Sequence, residues 1–258
     1  MKQYLDVLRD VLENGERRAN RTGIDTISKF GEHLQINLQD GFPILTTKRV
    51  YFKGIVGELI WMLRGETNIK FLQENNIHIW DGWADENGEL GPVYGKQWRD
   101  WNGVDQISTI IDQLKNDPYS RRIILSNWNV PDLPKMALPP CHILAQFYVR
   151  NSYIDCSVYQ RSGDMFLGIP FDITSYALLL SLFARWTGKM PGMLYYTIGD
   201  AHIYCNHIEQ VKEQLSRTPR LLPQLHIAGS WSIESLEIGN FVLSDYNPYP
   251  LIKGQVAL

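Results

Sequence analysis

Leu5, Leu8, Val11 and Leu12 recur at helical spacing, and Asn14-Gly15 supplies a stop, so the chain opens with an amphipathic helix. Leu34, Ile36 and Leu38 alternate with Gln35 and Asn37, the period of a half-buried strand. Lys53 to Leu63 is apolar at helical spacing and carries Glu58 in its middle. Arg122 to Ser126 has β-branched residues and reads as a strand. Ile143 to Val149 and Tyr153 to Tyr159 flank Asn151-Ser152, which predicts a hairpin. Ile173 to Trp186 reads as a buried helix, Met193 to Ile198 as a strand, and Ile203 to Leu215 as a helix with a polar face. Leu222 to Val242 is strand-like with turns. Long antiparallel strands interleaved with helices predict an α+β fold rather than a regular βαβ series. No repeat, low-complexity tract or linker interrupts residues 1–258, so one domain is expected.

Composition narrows the function classes. With 258 residues and 44% hydrophobic positions, the chain can bury a sizeable core. A net charge of −3 gives no global basic field, so no nucleic-acid partner is expected. Three cysteines do not make a disulfide framework, and a reduced, cytoplasmic compartment fits. The first eighteen residues carry charges throughout, without the apolar centre of a signal peptide. The uncharged run Ile173–Ala184 is too short to span a bilayer, so no membrane association is expected.

Four features stand out as chemistry. Cys141, in Pro139-Pro140-Cys141-His142 ahead of a strand, is either a nucleophile or a small core residue. Adjacent strand residues face opposite sides, so Cys141-His142 is a poor hydrolytic dyad. The cysteines lack zinc-ligand spacing, and no metal is expected. Arg161-Ser162, in a turn predicted to end a long strand, suits a phosphate or carboxylate, although a surface arginine can equally be just solvated. Asp200 is a candidate cap for the following helix, with His202 either structural or binding. Glu58 interrupts an apolar helix, so it either snorkels or performs acid–base work with a raised pKa.

These stretches together resemble the folate-dependent thymidylate synthases from end to end. The matching segments are Asn20-Arg21-Thr22-Gly23, TTKRVYFKGIVGELIWMLRGETN (46–68), IWDGWAD (79–85), GPVYGKQW (91–98), DPYSRRII (117–124), LPPCH (138–142), YQRSGDMFLGIPFDI (159–173), GDAHIY (199–204) and YNPYPLIK (246–253). The resemblance implies a mixed twisted sheet that forms a homodimer interface, with helices on its other side. It implies Cys141 as the nucleophile at C6 of a pyrimidine nucleotide and methylenetetrahydrofolate as one-carbon co-substrate. Glu58 then relays protons to the C4 substituent, and Tyr94 helps remove the C5 proton. Arg21, Arg161 and Ser162, with Arg121 and Arg122 of the second subunit, form the phosphate site, and Arg161 favours the Cys141 thiolate. His202 and Tyr204 hold the sugar 3′-hydroxyl. Ile79, Trp80, Trp83, Asp164, Leu167, Gly168 and Phe171 line the folate pocket beside the nucleotide, Lys48 meets the folate's glutamate tail, and Leu258 closes over the site.

One departure shifts the expected substrate. The synthases read uracil with an Asn amide where this chain has Asp172. An ionised carboxylate only accepts hydrogen bonds, so it opposes O4 of uracil but pairs with the N4 amino group of cytosine. Phage deoxycytidylate hydroxymethylases, relatives of the synthases, carry Asp at this position. The reading is therefore C5 methylation of dCMP. The alternatives are hydroxymethylation of dCMP or CMP, thymidylate synthesis from dUMP, or a nucleotide- or RNA-binding paralogue. Trp80, Trp83 and the apolar end Val256-Ala257-Leu258 favour methyl over hydroxymethyl, because they keep water from the intermediate. Tyr249 stands where many synthases have His.

Overall fold

The structure, a computed structural model, describes residues 1–229 and 232–257; Leu258 and its predicted role lie outside them. Helix α1 (Lys2–Asn14) is followed by β1 (Glu16–Arg18) and β2 (Thr26–Asn37). Next come α2 (Phe52–Leu63), α3 (Lys70–Glu74), α4 (Tyr94–Arg99), α5 (Gln106–Asn116) and β3 (Ile124–Ser126). The hairpin β4 (His142–Arg150) and β5 (Tyr153–Asp164) leads into α6 (Gly168–Trp186) and β6 (Met190–Tyr204). The chain continues through α7 (Ile208–Ser216), β7 (Gln224–Ile227) and β8 (Phe241–Ser244). Among the described residues, six strands form one sheet in the order β1-β2-β6-β5-β4-β3, and β7 pairs with β8 in a small ribbon.

The sheet is antiparallel except for β5 and β6, which run parallel. A parallel pair needs a crossover, and the nineteen residues of α6 supply it. One βαβ unit therefore sits inside the predicted α+β fold. Helix α6 is almost wholly apolar because it lies between the sheet and α2: Ile173, Ala177, Leu180 and Ala184 are all buried. Phe183 meets Phe147 of β4 edge-on at 5.0 Å. The opposite face of the sheet carries large exposed side chains, Phe30 (81% exposed) and Tyr148 (62%) with Leu144 and Tyr159.

Three predicted boundaries move. The turn expected at Arg161–Asp164 is strand, because Ser162, Gly163 and Asp164 pair with Asp200, Ala201 and His202. The helix expected from Ile203 begins at Ile208, and Asp200 caps nothing: β6 runs through Tyr204, paired with Thr26 of β2, and burial still alternates from Ala201 to Tyr204. Helix α6 starts at Gly168, five residues before the apolar run. The Asp164 carboxylate accepts from the backbone N–H groups of Phe166 and Leu167 (2.8 and 3.3 Å) just ahead of it. The hairpin turn forms as expected, with Asn151 taking a positive φ of 56°.

A buried amide ties α4 to the start of β4. Asn127 accepts from Trp98 Nε1 and donates through Nδ2 to the His142 carbonyl at 2.8 Å. Asn127→Leu leaves both groups buried and unpaired, at about 1–3 kcal/mol each. Urea denaturation should show a loss of about 2–6 kcal/mol, and retention of wild-type stability would contradict this tie.

Candidate functional site

Cys141 precedes β4, where the register with β5 shifts between His142 and Leu144. Its backbone N–H donates to the Tyr94 hydroxyl at 2.8 Å, and its carbonyl accepts from Arg161 N at 2.8 Å. The Arg161 guanidinium donates to the carbonyls of Pro140 (2.8 Å) and Pro139 (3.0 Å). Thus the arginine singled out as an anion ligand also holds the prolyl loop that carries the thiol. Arg161 does pull the Cys141 thiol toward its ionised form, as expected, but it is outweighed. Burial, helped by Asp172, raises the Cys141 pKa despite the opposing pull of Arg161 and Arg21.

Around the thiol, acidic and phenolic groups converge from several elements. Glu58, buried in the middle of α2, accepts from Trp80 Nε1 at 2.7 Å. Its carboxyl is pushed up to about 8, by burial and by the charge of Asp172. The snorkelling alternative is excluded, since Glu58 is buried and its carboxylate turns to Trp80. Tyr94, at the start of α4, stacks on His142 with ring centroids 4.3 Å apart. Burial and the neighbouring Cys141 raise its hydroxyl far above the usual range. His142 is occupied elsewhere: Nδ1 lies 2.9 Å from the Tyr176 hydroxyl, and burial lowers its pKa to about 3, so it stays neutral.

Asp172 lies in the first turns of α6. Gln160 Nε2 donates to its Oδ2 at 2.8 Å and to the Ser162 carbonyl at 2.9 Å, while Gln160 Oε1 accepts from the Tyr196 hydroxyl. Burial is the main reason that the Asp172 carboxyl is pushed up to about 7, with Asp164 adding to it and the Gln160 bond opposing it. Gln160 and Tyr196 escape sequence reasoning as functional residues. The available signal was a glutamine at a position of β5 whose alternation calls for an apolar side chain.

The remaining predicted residues fall into three groups. On β6, His202 Nδ1 is 3.2 Å from Asp200 Oδ1, which also accepts from Ser28 Oγ at 2.7 Å, and the Tyr204 ring lies edge-on to His202 at 5.3 Å. Ser162 is half-buried beside them on β5, whereas Arg21, Arg121 and Arg122 are exposed, with no ion-pair partner among the described residues. Trp80 meets Trp83 edge-on at 5.7 Å, and Ile79, Trp83, Leu167, Gly168 and Phe171 are half-buried, leaving apolar surface for a flat ligand. Asp164 Oδ1 is taken by the backbone ahead of α6, and Oδ2 has no partner among the described residues.

Lys48 does not point outward. It is buried, donates to the Phe166 carbonyl and lies 3.5 Å from the centre of that ring, and burial lowers its pKa to about 7. His207 is a third unpredicted residue: it is buried, and its Nε2 lies 3.0 Å from the Gln255 carbonyl, holding the C-terminal segment near Phe166. Tyr249 hydrogen-bonds through its N–H to the Thr46 carbonyl (2.8 Å), and the Arg220 guanidinium covers its ring at 4.0 Å. Among the described residues no cluster of His, Cys, Asp or Glu is arranged to hold a metal, and no helix is long and apolar enough to cross a membrane.

Comparison with known proteins corrects the expected substrate. A protein of Corynebacterium aurimucosum named thymidylate synthase is 53% identical over 260 residues, covering 99% of this chain and 97% of its own length. That likeness overturns the dCMP reading. The argument from an ionised, acceptor-only Asp172 is weakened besides, because desolvation pushes that carboxyl up to about 7. The finding supports one-carbon transfer to a pyrimidine nucleotide, with methylenetetrahydrofolate as co-substrate. The thymidylate synthase family profile matches residues 2–258, and the chain belongs to that family.

Proposed function

We propose that this protein makes thymidylate from dUMP. The observation that carries the reading is the convergence of half-buried Cys141 and Asp172 with buried Tyr94 and Glu58, in a chain so similar to a protein named thymidylate synthase. The Cys141 sulfur adds to C6 of uracil, and the displaced electron pair makes C5 nucleophilic. Methylenetetrahydrofolate supplies the one-carbon unit and then the hydride that turns it into methyl. Glu58, protonated near neutral pH, delivers and recovers a proton at the C4 oxygen. Tyr94 stands against the Cys141 backbone, where it assists loss of the C5 proton. Re-formation of the Cys141 thiolate releases the product.

Binding follows from local rather than net charge. Arg21, Arg161 and Ser162 take the phosphate, and His202 and Tyr204 take the sugar hydroxyl. The half-buried apolar surface of Ile79, Trp83, Leu167, Gly168 and Phe171, backed by buried Trp80, fits the flat face of the folate, and the free Asp164 Oδ2 suits a pterin N–H. Lys48 reaches the glutamate tail only after leaving the Phe166 carbonyl. The exposed sheet face with Phe30, Leu144, Tyr148 and Tyr159 supports a homodimer in which Arg121 and Arg122 complete the partner's phosphate site. Three free cysteines suit a reducing compartment such as the cytoplasm.

The direct test is purified protein with methylenetetrahydrofolate and dUMP, with dCMP as control, scoring dihydrofolate and the methylated base by mass spectrometry. Turnover of dUMP is expected; absence of thymidylate would overturn the reading. Cys141→Ser should abolish turnover while dUMP still binds, and a rate near wild type would exclude covalent catalysis.

For the shared phosphate site, Arg121→Ala/Arg122→Ala subunits mixed with Cys141→Ala subunits should recover activity that neither parent has. Random exchange gives about a quarter of the wild-type rate, since half the dimers carry one intact site. No recovery after verified exchange would exclude sharing.

Glu58→Gln should lower kcat by about 10²–10⁴-fold yet stabilise the fold at high pH. The folded carboxyl holds its proton up to about pH 8, while the unfolded one loses it near the ordinary carboxylate range. Wild-type stability therefore falls between these two values as pH rises, and the Gln variant escapes that loss. The difference in unfolding free energy should grow from near zero below pH 4 to as much as about 4 kcal/mol at pH 8. A constant difference across this range would refute the raised pKa.

A further inference from the structure

Uracil shows a carbonyl acceptor at position 4 and an N–H donor at position 3. Its reader must therefore offer one donor beside one acceptor. An ionised aspartate offers two acceptors. If the proposed function holds, and this inference rests on it, Asp172 needs another way to meet that edge.

The surroundings of Asp172 supply it. Facing the carboxyl are Glu58 from α2, Tyr94 from α4 and Cys141 ahead of β4. Gln160 and Asp164 of β5, Tyr176 of α6 and Tyr196 of β6 complete the ring. These groups are neutral or acidic, and His142, between Tyr94 and Tyr176, is held neutral by burial. Among the described residues no Lys, Arg or His forms an ion pair with Asp172, so no cation holds it ionised.

The hydrogen bonds also distinguish its two oxygens. Tyr196 donates to Gln160 Oε1, which fixes the glutamine amide with Nε2 toward Asp172. Gln160 then donates to Asp172 Oδ2 at 2.8 Å. An oxygen that accepts there is the carbonyl-type oxygen, and Oδ1 is left to carry a proton.

We infer that Asp172 reads uracil as a neutral carboxylic acid, with Oδ1–H donating to O4 and Oδ2 accepting from N3–H. The carbonyl oxygen has two in-plane lone pairs, one for Gln160 and one for the base. The hydroxyl hydrogen on the same side as the carbonyl gives the acid the donor–acceptor pair of an asparagine amide. Burial, which pushes the carboxyl up to about 7, supports the same state. The proton also removes an anion whose charge raises the pKa of Cys141, so the form that reads the base is the form that eases thiolate formation.

The test is proton linkage on dUMP binding, measured by calorimetry at pH 8 in buffers of different ionisation enthalpy. Free dUMP already carries a fully ionised phosphate there, because its second pKa is near 6. Wild-type protein should take up close to one proton per site, and Asp172→Asn, which carries its donor without a proton, should take up almost none. Correspondingly, the ratio of wild-type to Asp172→Asn kcat/KM for dUMP should fall as pH rises from 6 to 9, approaching tenfold per unit. The wild-type measurement stands alone if the variant fails to fold. Turnover of dUMP by the wild type without proton uptake overturns the inference and leaves the proposed function intact. A wild type that fails to turn over dUMP even at pH 6 overturns both.

Discussion

The parallel pairing of β5 with β6 is the constraint on which the site depends. Its register sets Gln160 opposite Ile198, Ser162 opposite Asp200, and Asp164 opposite His202. Parallel neighbours require a crossover, and α6 returns across the sheet carrying Asp172 in its first turns. The groups to which the proposed function assigns base, sugar and phosphate are thereby gathered at one end of two adjacent strands. The antiparallel hairpin partner β4 adds Cys141 from its entry, where the shift in register at His142 frees the preceding loop.

Desolvation governs the chemistry there. In water, Glu58 and Asp172 would be fully ionised at neutral pH and would repel each other. With Glu58 buried and Asp172 half-buried beside it, desolvation pushes both toward their neutral forms, and the charge of Asp172 is part of what raises Glu58. The same burial holds Cys141 as a thiol and His142 as an uncharged ring. Only Trp80 and Gln160 donate side-chain hydrogen bonds to the two carboxyls among the described residues. The pocket therefore stores protons rather than charge, which suits a reaction that shuttles protons at a neutral base.

How legible this was depends on the range of the interactions. Helices α1 and α2, the β4–β5 hairpin and most of α6 follow from local periodicity, and the structure shows them. The ends of β5 and β6 do not, because Arg161–Asp164 and Asp200–Tyr204 carry polar residues that look like turns until their mutual pairing is known. Cys141, Glu58 and Asp172 were visible as candidates because each breaks a local pattern or falls in a resembled motif. Gln160, Tyr196 and His207 break no pattern strongly enough; their importance lies in partners 36 to 48 residues away in sequence, which only the fold brings near. The substrate was misread for a related reason: the residue type at 172 is local, but its protonation is a property of everything packed around it.

That last point bears on how specificity and reactivity connect here. An asparagine at 172 would read uracil without influencing the thiol electrostatically, since it carries no charge in either state. An aspartate links the two: ionised, it both mismatches O4 and disfavours the Cys141 thiolate; neutral, it does neither. A proton on Asp172 thus changes ground-state recognition and nucleophile formation in the same direction. Arg161 and Arg21, which pull the thiol the other way, then act against burial alone. The carboxyl is the more conditional choice of side chain, because the pocket must remain dry and free of cations around it. The packing of Trp80 against Glu58, and of Tyr176 of α6 against Tyr196 of β6, keeps it so.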